Sequence, residues 1–173
     1  MVKSLFRKPH IILAIILSVV TAIMLPTMLH ARKNAVRQDA QLLVQAAALG
    51  LGGLLRQVER RDDQILMIRD YVHPARFFTD DSGYFFVIDT TGVCIAHGIQ
   101  REYEGQNMLG AKDAEGRPFF DSMIEICETG GGFIEYMWNK PGAQGSFKKL
   151  GYVEPIPGTD FIIGTGIYFP SPW

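Results

Sequence analysis

The chain has 173 residues, a net charge of −1 and 47% hydrophobic side chains, enough for one ordinary domain with an appendage and too apolar for a disordered protein. Residues 1–76 carry eleven of the 17 Lys and Arg but only five of the 18 acids, so the C-terminal part is acidic and nucleic acid is excluded as a partner. Cys94 and Cys127 lack the spacing and neighbours of a zinc or CxxC redox site, leaving one disulfide or two buried thiols as the alternatives.

The first element is the uncharged run IILAIILSVVTAIMLPTML, residues 11–29, preceded by Lys3, Arg7 and Lys8. Its length suits a bilayer-crossing helix, and the basic flank favours a cytoplasmic N-terminus. The expected organisation is therefore a cytoplasmic segment 1–10, a transmembrane signal-anchor 11–30, and a domain 31–173 on the far side of the membrane. A cleaved signal peptide has the same basic start and apolar centre, with Pro26 closing the apolar stretch. Against cleavage stand the length of the run and Leu29, which precedes Ala31 where a small residue is wanted. Arg32, Lys33 and Arg37 on the far side reduce the charge asymmetry. No second span follows, so the polypeptide is expected to carry no output domain of its own.

From 31 to 71 apolar residues return at steps of three and four, among them Val36, Ala40, Leu43, Ala47, Leu54, Val58, Ile65 and Ile68. This predicts one long helical stalk or two helices end to end, with LGLGG (49–53) as the site of a break, kink or close helix contact. The grammar then changes to short aromatic and β-branched runs between Gly, Asp and Pro, as in an antiparallel sheet. YFFVID (84–89) and VCIAH (93–97) flank TTG as a hairpin, and 101–116 reads as a long polar loop with one turn of helix. PFFDSMIEICETG reads as a helix opened by Pro118 and closed by Gly130. FIEYMW (133–138), FKKLGYVEPI (147–156) and FIIGTGIY (161–168) complete five strands. The fold class is α+β, a long N-terminal helix packed on an antiparallel five-stranded sheet over 83–169.

Period-two alternation groups Tyr84, Phe86 and Ile88; Val93, Ile95 and His97; Ile134, Tyr136 and Trp138; and Lys148, Leu150 and Tyr152. Converging faces would form an aromatic pocket with His97, Tyr136, Trp138, Lys148 and Tyr152 as donors, suited to a small anion such as a carboxylate. The bland alternative is an aromatic core beside a solvated Lys148. For catalysis the sequence offers no GxSxG, HExxH, Walker-type or CxxC pattern, and DAEG (113–116) lacks EF-hand spacing. Neither an enzyme nor a metal or cofactor protein is expected.

The succession GYFFVIDTTGVCIAHG, YEGQNM, KDAEG, GGGFIEYMWNKPG, KKLGYVEPIPG and FIIGTGIY resembles the single Cache domain of the type-2 subclass, an extracytoplasmic sensor module of bacterial chemoreceptors and sensor kinases. The resemblance covers about residues 35–169. It implies a PAS-like sheet carried on a long N-terminal helix, with a pocket for small metabolites, commonly short organic acids. The family's His-Pro falls on His97 with Gly98 in place of Pro, which predicts a looser loop; its Tyr and Trp strand falls on Tyr136 and Trp138, its Lys on Lys148, and an Arg before the first strand on Arg76. The expectation is a single-pass protein of the bacterial inner membrane that presents a sensor domain, residues 31–173, to the periplasm, where it binds a small organic anion reversibly. Its message would pass by homodimerisation through the stalk or by contact with a separate membrane signalling protein. The rival is a structural or interaction subunit of the same fold that binds no ligand.

Overall fold

A computed structural model describes residues 9–168. The chain divides into two compact units between Gln38 and Asp39. Helix α1, Pro9–Leu55, begins in the first unit with Pro26 inside it. Its apolar stretch reaches a mean hydropathy of 2.5 with none of that window buried, and Leu13, Leu17, Ile23 and Leu25 are exposed. Among the described residues this is the one helix long and apolar enough to cross a membrane.

In the second unit α1 buries Val44, Ala47, Ala48, Leu51 and Leu55, a stripe of helical period. The helix runs unbroken through the glycines at 50, 52 and 53 and ends at Leu55. Of the sequence alternatives at LGLGG, a close approach occurs, but to a turn and not to another helix. A Cβ at Gly52 would lie 2.8 Å from the Pro157 carbonyl oxygen, so this glycine admits the turn at Pro157. The break falls at 56–60, where the Gln64 amide donates to the carbonyls of Leu55 and Val58 at 3.3 and 2.7 Å and so satisfies helix-end acceptors. Helix α2, Arg61–Val72, follows.

Strands β1 (Phe86–Asp89), β2 (Cys94–His97), β3 (Gly132–Asn139), β4 (Ser146–Pro155) and β5 (Phe161–Tyr168) form one antiparallel sheet of order β2-β1-β5-β4-β3. A 3-10 helix, Arg101–Tyr103, and helix α3, Phe119–Glu128, lie between β2 and β3. Gly130 and Gly131, at φ +101° and +100°, end α3 and turn the chain into β3.

Each sheet face has its own core. Phe85, Val87, Tyr152, Phe161 and Ile163 pack with the buried stripes of α1 and α2. Phe86, Ile88, Tyr136, Val153 and Ile162 pack with Phe119, Phe120, Met123 and Cys127. The alternation expected for β2 fails. Val87 pairs with Ala96 and Ile88 with Cys94, which leaves Ile95 as an extra residue on β2. That bulge resets the period: Ile95 packs on the helix side, apart from His97.

Candidate functional site

A cavity on the α3 side of the sheet is lined by Phe86, Ile88, Cys94, His97, Tyr103, Phe119, Phe120, Met123, Tyr136, Trp138 and Lys149. Its volume is about 10 Å³, room for roughly one water. Tyr136 stacks on Phe119 with centroids 4.6 Å apart, and Trp138 lies edge-on to Phe119 at 5.4 Å. Tyr103, half-buried, reaches the Trp138 ring at 5.6 Å.

Lys149 is the one fully buried lysine among the described residues, 1% exposed. It pairs across strands with Tyr136. Its Nζ donates to the Tyr84 hydroxyl at 2.8 Å and lies 4.1 Å from the Tyr84 ring centroid and 5.1 Å from that of Tyr168. The Tyr168 hydroxyl donates to the Asn139 carbonyl at 2.6 Å, so in the 3.0 Å contact between the two phenols Tyr84 is the donor. Donation therefore runs from Lys149 through Tyr84 and Tyr168 to the end of β3. Among the described residues no carboxylate oxygen lies within 4.0 Å of this ammonium. Burial drives the Lys149 pKa well below its ordinary value and pushes that of Tyr84 up to about 12.

His97 is 6% exposed. Its Nδ1 accepts the backbone N–H groups of Ile99 and Gln100 at 3.2 and 2.9 Å, which assigns the proton of the neutral ring to Nε2. Burial, and then the charges of Lys149 and Arg76, depress its pKa to about 3. A neutral imidazole with a blocked Nδ1 is a hydrogen-bond donor at this wall.

Lys148 stands on the opposite face. It pairs with Met137, half-exposed, and its Nζ bonds Glu135 at 2.7 Å. The expected convergence of Lys148 with Tyr136 therefore does not occur, because one step along β4 reverses the side-chain direction. Tyr152 also faces away. It packs in the helix-side core, donates to Glu154 at 3.0 Å and accepts from Gln45 at 3.3 Å. Arg76 is exposed and does not line the cavity; it donates to the carbonyls of Ala75, His73 and Gly98. Tyr84, Phe86, His97, Tyr136 and Trp138 do come together, Tyr84 by its 5.0 Å ring contact with His97. Gly98 is tied at both groups, its N–H to the Phe85 carbonyl at 3.0 Å and its carbonyl to Arg76. The glycine thus keeps a donor that proline would lack, and the looser loop expected from it is not what the structure has.

Sequence reasoning missed Lys149, Tyr103, Phe119, Phe120, Met123, Cys94 and Tyr168. One signal for Lys149 was present in GTG of β5. A Cβ at Gly164 would meet the Phe86 ring, and one at Gly166 would meet the Lys149 stem. Glycines on a central strand marked where long neighbouring side chains lie flat. Cys94 and Cys127 are free buried thiols, each with its pKa pushed up to about 12 by burial. Among the described residues no three His, Cys, Asp or Glu side chains gather as a metal-ligand set.

A family model described as Cache domain matches residues 58–171. Among curated proteins, the sensor histidine kinase MctS of Rhizobium johnstonii is 35% identical over 86 residues, 50% of this chain and 19% of that protein. The methyl-accepting chemotaxis protein McpP of Pseudomonas putida is 27% identical over 137 residues, 79% of this chain and 24% of that protein. The chain thus spans a quarter or less of the length of these relatives. A methyl-accepting chemotaxis protein structure from Vibrio parahaemolyticus superposes with TM-score 0.66 at 28% identity, covering 84% of this chain and 93% of that one. A Cache chemosensory domain described for its carboxylic acid recognition gives TM-score 0.69 at 26% identity, covering 80% and 97%.

Proposed function

The chain belongs to the Cache domain family of sensor domains, and from that premise we propose that it binds a short carboxylate reversibly around Lys149, without catalysis, on the extracytoplasmic side of a membrane. The observation that carries this reading is a lysine ammonium buried among aromatic rings with, among the described residues, no carboxylate within 4.0 Å. A buried charge is costly unless paired. A ligand carboxylate would supply the missing charge, with the His97 Nε2–H as a second donor and the rings enclosing one to three carbons. The similar chemosensory domain that recognises carboxylic acids supports the same ligand class. The span in α1 and the basic residues before it support an inner-membrane anchor with a cytoplasmic N-terminus. The signal would then reach receptor parts in this chain or in a partner.

Anion binding favours the charged amine, so a ligand reverses part of the depression of the Lys149 pKa and binding takes up protons. Titration calorimetry in buffers of different ionisation enthalpy is expected to show net proton uptake and an affinity that weakens as pH rises.

One observation favours the rival of a domain that binds nothing: a cavity of about 10 Å³ must widen for even a two-carbon acid. Thermal melting of the detergent-solubilised full chain separates the readings, since a ligand of the folded state raises the midpoint. Acetate and propionate are expected to stabilise, acetamide and propionamide far less. Equal effects of acids and amides, or none from any acid at millimolar concentration, would sink the proposal.

A further inference from the structure

Glu104, the residue after the 3-10 helix, has a side chain only 10% exposed and sits where three elements meet. Its Oε1 accepts the backbone N–H of His97 in β2 at 3.0 Å and lies 2.7 Å from Nε2 of His73, just past the end of α2. Its Oε2 is 3.1 Å from Nε of Arg69 in α2, and that nitrogen also donates to the Ile95 carbonyl at the β2 bulge. The residue before it, Tyr103, lines the cavity against Trp138 and lies 6.2 Å from the His97 ring. One buried carboxylate therefore holds two walls of the cavity, His97 by its amide and Tyr103 by chain adjacency, while its remaining bonds go to the far side of β2. No α2 residue lines the cavity.

We infer that Glu104 is a positioning residue that sets the closed geometry of the cavity and links its occupancy to helix α2. The coupling to occupancy rests on the carboxylate reading above; the positioning does not. The cavity must widen to admit an acid, and Tyr103 and Trp138 are its half-buried walls. Displacing Tyr103 moves the carboxylate one residue on, and with it the Arg69 and His73 contacts. Such a link has physical content as a contiguous set of hydrogen bonds between two packed elements.

The test uses the full chain in detergent carrying Trp173→Phe, so that Trp138 is the sole tryptophan. Without ligand, Glu104→Gln and, from the α2 side, Arg69→Met are expected to raise acrylamide quenching of Trp138 by about twofold, because the Tyr103 and His97 walls loosen. The double variant should quench no more than Glu104→Gln alone, since both act through one contact. A role confined to stability would lower melting temperatures and leave quenching of the folded protein unchanged; that result in both variants overturns the positioning, and if Glu104→Gln does not fold, Arg69→Met decides. With propionate bound, amide exchange in 61–72 should slow in the wild type and stay unchanged in Glu104→Gln. Propionate binding that leaves α2 exchange untouched in the wild type overturns the coupling. If no acid binds the wild type, the carboxylate reading and the coupling built on it fall together, and quenching still decides the positioning.

Discussion

The two faces of the sheet are built to different rules. On the helix side buried polar groups are partnered: Asp89 pairs with Arg61 at 2.8 Å, and Tyr152 meets Gln41, Gln45 and Glu154. The α3 side buries Lys149, Tyr84 and Tyr168 in a chain of donors that ends on a backbone carbonyl, with His97 beside it, and among the described residues no carboxylate pairs with the amine. An unpaired amine retained in one core at a cost, beside a core whose buried charge is paired, marks the face kept for something other than stability. On this comparison stability and recognition separate by face, and substitutions should sort the same way.

The largest effect is expected on the helix side. Phe161 is fully buried against that core, and its guanidinium neighbour Arg61 sits 4.7 Å from the ring centroid. Phe161→Ala should cost about 3–5 kcal/mol of stability through the lost contacts and the cavity left behind. Propionate affinity of the fraction that remains folded should change little. A large loss of affinity at unchanged stability would break the division between faces.

Lys149→Met is the converse. It keeps most of the stem that lies along Gly166 and removes a desolvated amine. Stability should hold or rise, whereas a lost charge-assisted hydrogen bond lowers affinity by about 1.5–3 kcal/mol, or roughly 10- to 100-fold. Unfolding of this variant would place Lys149 in the scaffold and sink the comparison from the other side.

A smaller effect follows from His97. Its folded pKa of about 3 lies below the ordinary 6.5, so the unfolded state binds the proton more readily. Its contribution is whole above pH 6.5 and declines as pH falls toward 3. By pH 5.5 the loss is about 1.4 kcal/mol. His97→Asn retains an acceptor for the amides of Ile99 and Gln100 but does not titrate. Melting curves at pH 7.5 and 5.5 should show a smaller pH difference in the variant; an unchanged difference would mean that His97 is not what titrates.

Elements were easier to read from sequence than facing directions. The strand at 161–168 matches β5, and Pro118 and Gly130 bracket α3, because turn residues and aromatic runs are local signals. Directions depend on neighbours. The bulge at Ile95 turns His97 and Cys94 to one cavity although alternation separates them, and only the pairing with β1 reveals it. At LGLGG the local cost of glycine pointed to a break, a kink or a helix contact, and the close approach is instead to Pro157 in a turn, which only the tertiary fold reveals. The walls Phe119, Phe120 and Met123 come from a helix whose buried side looks like any core stripe until the sheet face it covers is known.

The adjacent lysines of β4 give the smallest expected effect and the sharpest contrast. Lys148 and Lys149 are neighbours in sequence, and both the alternation with Leu150 and Tyr152 and the family resemblance point to Lys148 as the pocket lysine. The strand face is instead fixed by what lies across it: Tyr136 opposite Lys149, Met137 opposite Lys148. Lys148 is 49% exposed and its partner Glu135 43% exposed, so water and salt screen their attraction. Lys148→Met should therefore change stability by at most about 1 kcal/mol and leave propionate affinity unchanged. Measured side by side, Lys149→Met loses binding and keeps its fold, and Lys148→Met keeps both. If Lys148→Met weakens propionate binding as much as its neighbour does, the acid docks on the outer face, and a ligand site exists that the buried cavity does not describe.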